Sequence, residues 1–161
     1  MPDDDEIDWS TGGNLSYVSD PAVVDAAFER DEPRVGTAVI GLALNNPNLD
    51  EVAPRVLRAL SSERAMVREF AIVAVGDTAR LFGKLTPELY EALLAQPARA
   101  REHAVRDALT FIPLRDLPPR YKAIWLRVTI RDFLQGRWIA LTELFEAAGG
   151  GLKRLSRRKT R

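Results

Sequence analysis

The sequence predicts an all-α fold: short antiparallel helix pairs stacked side by side, three to four pairs in all. Three observations carry that expectation. Apolar residues recur at helical spacing along most of the chain, whereas period-two stretches of strand length are almost absent. Helix-starting and helix-stopping residues alternate at short intervals. The pattern also coincides with itself when the chain is shifted by 33 residues.

The elements follow in order. Met1 to Ser19 reads as a flexible or loosely packed lead, because five acids fall within the first eight residues and Gly12-Gly13-Asn14 interrupts any element. Trp9, an aromatic in a polar lead, is the residue there expected to dock back. Asp20-Pro21 is a capping carboxylate followed by a first-turn proline, so a helix is expected over Pro21–Glu29. Arg30 to Pro33 makes a polar turn into a second helix, Arg34–Leu44, which Asn45-Asn46-Pro47-Asn48 stops. A third covers Leu49–Leu60; Pro54 either marks a later start or removes one backbone bond. After Ser61-Ser62-Glu63 comes the longest helix, Arg64–Phe82, with Gly83 placed to end it. Thr86-Pro87 repeats the cap-then-proline pattern for Pro87–Ala95, Gln96-Pro97 breaks it, and a sixth helix is expected over Ala98–Phe111.

Pro113, Pro118 and Pro119 bound a linker-like stretch. Beyond it, Tyr121–Phe133 and Trp138–Ala148 are expected to be helical, the latter with Trp138, Leu141 and Phe145 on one face. Gly149-Gly150-Gly151 ends the last helix. The β-branched Val73, Val75, Val128, Thr129 and Ile130 are the main local argument for strand, but each group sits in a helical frame. The expected organisation is an acidic lead (1–19), one helical domain (20–148) and a basic tail (149–161).

The 33-residue shift superposes Ala38, Ala71 and Ala104, and then Leu42, Val75 and Ala108, in the second helix of each pair. In the first helices it superposes Val23, Val56 and Leu89, then Ala26, Ala59 and Ala92, then Ala27, Leu60 and Leu93. These positions lie three or four residues apart, so they share a face. A lone pair of short helices cannot bury such a face, and stacked pairs can.

The stretch Ser62-Glu-Arg-Ala-Met-Val-Arg-Glu-Phe-Ala-Ile-Val-Ala-Val-Gly-Asp77 resembles the second-helix signature of HEAT repeats, which are armadillo-like helical repeats. Val67-Arg68 match the Val-Arg step, Ala71 the small position, and Ala74-Val75-Gly76 the end. Ala100-Arg101, Ala104 and Ala108-Leu109 match again one period later; Arg34-Val35, Ala38 and Leu42 match weakly, without the arginine in its place. The turn aspartate and proline of the signature are reduced to Glu63-Arg64 and to Pro97 alone. The resemblance covers about Pro21 to Ile112, with Pro118 to Ala148 as a divergent fourth or capping unit. It implies a right-handed α-solenoid of the short bacterial type that acts as a scaffold. Second helices line the binding face in that family, and some members look like immunity proteins. Arg68 and Arg101, at the repeat arginine position, are expected to bond to a neighbouring turn.

Composition sets outer limits. Apolar residues make up 46% and charged residues 29% of 161 residues, which suits a soluble domain with a core of its own. With no cysteine and one histidine, disulfides, thiolate metal sites and zinc chemistry are not expected, nor is any cofactor. The acidic start lacks an apolar leader, and apolar runs are too short for a bilayer, so a cytoplasmic location without membrane contact is expected. Net charge is zero, yet the chain up to Leu117 holds 12 basic and 20 acidic residues, and the remainder 11 and 3.

Two surfaces are candidates for a partner. Glu69, Arg80, Glu102 and Arg106 lie on the second helices away from the alanine stripe and would touch a protein partner if those helices line a groove. The competing reading is a solvated polar face without function. Arg120, Lys122, Trp125, Arg127, Arg131, Arg137 and Trp138 interleave basic and aromatic residues, and Lys153, Arg154, Arg157, Arg158, Lys159 and Arg161 follow. They form a footprint for phosphate or an acidic partner, nucleic acid included; alternatively the tryptophans are core and the tail solubilises. The architecture also resembles a helical-repeat DNA glycosylase class, for which Asp77, Asp107 and Asp132 are the available acids and Trp125 the aromatic, without a matching catalytic motif. His103 reads as a partly exposed helix residue. No nucleophile elbow, phosphate loop or metal-spaced cluster is present, so the leading expectation is a non-enzymatic interaction module.

Overall fold

The structure is a computed structural model that describes residues 7–131. It is helical throughout, with no strand among the described residues and a single isolated bridge, Asp8 to Gly13. The chain divides into two compact units, residues 1–118 and 119–161, with the division at the proline-bounded stretch.

In the first unit six α-helices follow one another: α1 (Pro21–Glu29), α2 (Val35–Asn45), α3 (Leu49–Leu60), α4 (Ala65–Phe82), α5 (Pro87–Ala95) and α6 (Glu102–Phe111). Local chemistry sets several of their ends. The Asp20 carboxylate accepts from Ala22 N at 2.8 Å, and the Thr86 hydroxyl accepts from Leu89 N at 3.3 Å, so α1 and α5 each begin with a capped amide and a proline. Asn48 caps α3 by accepting from Asp50 N at 3.1 Å. Gly83, at φ 61°, takes the left-handed position that ends α4. Pro54 lies inside α3 on its exposed side, and the helix runs through it.

One start differs from expectation. Residues 98–101 form a turn, and α6 begins at Glu102 rather than Ala98. The Arg101 guanidinium donates to the carbonyls of Leu94 and Gln96 that the end of α5 leaves open. Arg68, one period earlier, donates from Nη1 to Ser62 O and Glu63 O, both at 2.7 Å. Both repeat arginines therefore tie the turn in front of their own helix, as the sequence leads one to expect.

The even helices pack on each other in succession, α2 on α4 and α4 on α6, and the odd ones do likewise, α1 on α3 and α3 on α5. The superposed positions face this packing: Ala38, Ala71, Leu42, Val75 and Ala108 are fully buried, as are Val56, Leu89, Ala27 and Leu93. Val23, Ala26 and Ala92 are half-buried. Val73 and Val75 sit on α4, and Val128, Thr129 and Ile130 lie in a helical run, so helical context outweighs their strand preference.

Part of the acidic lead is packed, which a loosely held segment does not anticipate. Leu15 is fully buried and Val18 nearly so, on a 3-10 turn (Leu15–Tyr17) that lies against α2. Asn45 Nδ2 donates to Ser16 O and Asn46 Nδ2 to Ser19 O, and Arg34 Nε reaches Ser10 O. The Ser10 and Thr11 hydroxyls donate to Asp8, holding its carboxyl well below the ordinary range and closing the loop to Gly13. Trp9 is half-buried.

In the second unit residues 119–131 are helical, with Tyr121 buried and Trp125 half-buried. The expected Trp138–Ala148 helix, the glycine run and the tail lie outside the described residues, as do the C-terminal ends of the Tyr121–Phe133 segment and of the 20–148 domain.

Candidate functional site

Glu69, Val73, Asp77 and Arg80 recur at helical spacing and share the outward face of α4. Met66, half-buried Phe70 and Leu81 lie on the same side. Opposite stand His103 and Asp107 of α6 and Ala100 of the turn before it. Between them is a cavity of about 370 Å³ lined by Glu69, Ile72, Val73, Gly76, Asp77, Ala100, His103, Ala104 and Asp107.

Gly76 lies where the two helices approach each other. A Cβ there would stand 2.8 Å from Asp107 Oδ2 and 3.5 Å from Ala104 Cα. The preceding pair of even helices makes a similar approach and fills it with carbon: a Cβ on Gly36 would stand 2.8 Å from Phe70 Cδ2. Moving one period along the chain, Gly36 becomes Glu69, Phe70 becomes His103, Leu44 becomes Asp77 and Ala74 becomes Asp107. Four small or apolar residues are thus replaced by polar ones a period later, and all four polar replacements line the cavity.

Burial pushes the Asp77 carboxyl above its ordinary value of 3.8; Arg80, with Nη2 2.7 Å from Asp77 Oδ1, opposes the shift, and the charge of Asp107 adds to it. The folded state therefore holds the Asp77 proton to higher pH than the unfolded chain does, and stability contributed by the neutral form is lost as pH rises from 3.8 through the raised value. Asp77→Asn removes that loss. In denaturant titrations across pH, the variant is expected to gain on the wild-type protein as pH rises through this window. A stability difference independent of pH would contradict this account of Asp77.

The expected partner residues separate. Glu69 lines the cavity and Arg80 borders it through Asp77. Glu102 and Arg106 pair with each other at 3.0 Å, both exposed, and neither is in the lining. Arg120, Arg127 and Arg131 are exposed on the helical run of the second unit, with Arg127 and Arg131 one turn apart. Arg137, Lys153, Arg154, Arg157 and Arg158 lie outside the described residues, as does Asp132. Asp77 and Asp107 do face one cavity, but its lining contains no phenylalanine, tyrosine or tryptophan, unlike the aromatic-lined cleft a glycosylase needs. His103, Val73 and Gly76 are the members that sequence reasoning left out. Reading the 33-residue period for its exceptions, instead of its agreements, is the signal that finds His103; Val73 and Gly76 match small or apolar residues one period earlier and give no such signal.

A second depression is lined by Phe28, Asp31, Arg58, Ser61, Ser62, Glu63 and Arg64, and both of its arginines are paired. Arg58 lies 4.5 Å over the Phe28 ring and pairs with Glu29, and Arg64 pairs with Asp31. No group of three or more histidine or carboxylate side chains is placed to hold a metal ion among the described residues, and no helix among them is long and apolar enough to cross a membrane. Comparison with protein-family models, curated proteins and solved structures gives no match.

Proposed function

We propose that this chain is a non-enzymatic, cytoplasmic protein-interaction module, a right-handed HEAT-like stack of helix pairs whose second helices form the binding face. The observation that carries the reading is the outward side of α4. Met66, Val73 and Leu81 are each more than half exposed there, beside the charged Glu69 and Arg80. Large apolar side chains grouped on one helix face and rimmed by charge are the composition of a protein contact. An immunity-like or regulatory role rests on the family resemblance alone.

Met66→Glu combined with Val73→Glu tests it. Both positions are exposed, so the fold is expected to stand while a stoichiometric partner co-purifying with the wild-type chain is lost. Retention of that partner at wild-type yield would remove α4 from the interface and sink the reading.

A second reading, nucleic-acid association through the basic end, is favoured by the exposed Arg127 and Arg131 one turn apart. It requires binding that falls steeply with salt and disappears on deleting residues 152–161.

A further inference from the structure

We propose that the groove between α4 and α6 receives a basic side chain, arginine or lysine flanked by apolar residues, from a segment of a partner protein. The inference rests on the interaction-module reading and names the chemistry of its partner.

Charge complementarity is the first support. Glu69, Asp77 and Asp107 line the groove, and no lysine or arginine does. Arg80, beside the groove, is paired with Asp77. Three carboxyl groups therefore line the groove, and the ion pair with Arg80 is made by one of them, Asp77. A cation seated there would face the other two. The chain up to Leu117, with 12 basic and 20 acidic residues, would draw a basic partner from a distance.

The second support is independent of charge counting. The stack does not need polar groups at these positions, because one period earlier the chain carries Gly36, Leu44, Phe70 and Ala74 instead, and Gly36 packs against the Phe70 ring. Polar side chains at the corresponding places of α4–α6 open a cavity where its sister has an aromatic ring over a glycine. The third support is shape. About 370 Å³ is near the lower end of ligand cavities, roughly 300–1,000 Å³, which suits one side chain rather than a whole peptide. Val73, Ile72 and Ala100 supply an apolar wall for the methylene stem of such a side chain, and exposed Met66 and Val73 continue that surface for its apolar neighbours.

The test is a titration of the isotope-labelled full chain, followed by amide chemical shifts. The probe is a blocked pentapeptide, alanine-leucine-arginine-leucine-alanine, and the control is the same peptide with citrulline, the uncharged isostere, at its centre. The arginine peptide is expected to move the amides of Glu69, Val73, Asp77, His103 and Asp107. Citrulline, or the double substitution Glu69→Gln with Asp107→Asn, is expected to weaken binding about tenfold or more. The melting temperature of the double variant reports that it remains folded. Equal binding of the citrulline peptide, equal binding by the double variant, shifts confined to other surfaces, or no shifts with either peptide would each overturn the proposal. So would a change in the amides of residues 152–161 on making the double substitution without peptide, since the occupant would then be the chain's own tail.

The co-purified partner separates this inference from the reading beneath it. A partner lost with Met66→Glu and Val73→Glu but kept by Glu69→Gln with Asp107→Asn leaves the interaction face standing and removes the basic-residue pocket. A partner kept by both variants removes the face itself.

Discussion

Replacing Leu15 with alanine lowers the unfolding free energy by about 2–5 kcal/mol, the range for emptying a buried leucine site. Leu15 is fully buried although it follows a run of acids and glycines, and it is among the larger wholly enclosed side chains of the described residues. Its segment is held from several directions. Asn45 Nδ2 donates to Ser16 O at 2.7 Å, Asn46 Nδ2 to Ser19 O at 3.0 Å, and Arg34 Nε to Ser10 O at 3.0 Å. The loss is therefore expected as a lower midpoint of thermal unfolding, by roughly 2–4 °C for each kcal/mol at this chain length. A change under about 0.5 kcal/mol, typical of a surface site, would mean that the lead only rests on α2.

Gly41→Ala is expected to destabilise through the same contact by the opposite route, overfilling it. A Cβ on Gly41 would stand 2.2 Å from the carbonyl oxygen of Leu15. That atom belongs to the main chain and cannot rotate aside, so the whole 3-10 turn must lift. Overpacking of this kind costs about 1–3 kcal/mol, against a gain of up to about 1 kcal/mol from alanine's better helix propensity. Gly76→Ala is the internal control. Its nearest obstacle is Asp107 Oδ2 at 2.8 Å, the end of a side chain that can turn, so it is expected to be nearly neutral. Because Leu15→Ala and Gly41→Ala loosen one segment, their double variant is expected to lose less than the sum of the two. Denaturant titration of the four proteins measures this, and strict additivity would show that the two residues hold separate contacts.

Helix ends written as side-chain chemistry were legible in the sequence. Asp20-Pro21, Thr86-Pro87 and Gly83 act within a few residues of the amides and carbonyls they satisfy, so α1, α5 and the end of α4 lie where those residues put them. The alanine positions were legible for a different reason, since their recurrence at a fixed shift averages out local ambiguity. Contacts made at long range were not legible. The start of α6 depends on Arg101 reaching back to the end of α5, and the packing of Leu15 depends on a glycine on α2. Composition in the lead pointed to a loose segment, whereas Asn45, Asn46 and Arg34 supply its hydrogen bonds from far along the chain. The groove was legible only in half. Glu69 and Arg80 follow from the outward face of one helix, but His103 and Asp107 join them only once α6 is laid against α4.

The alanines that let successive even helices approach are separate residues from the four that distinguish one contact from the next. Helix packing and the polar lining of the groove are therefore written at different positions of the same 33-residue period. Glu69, Asp77, His103 and Asp107 can be rewritten while Ala38, Ala71 and Ala104 keep their places. The chemistry of the groove can thus be changed while the residues that pack the helices stay as they are.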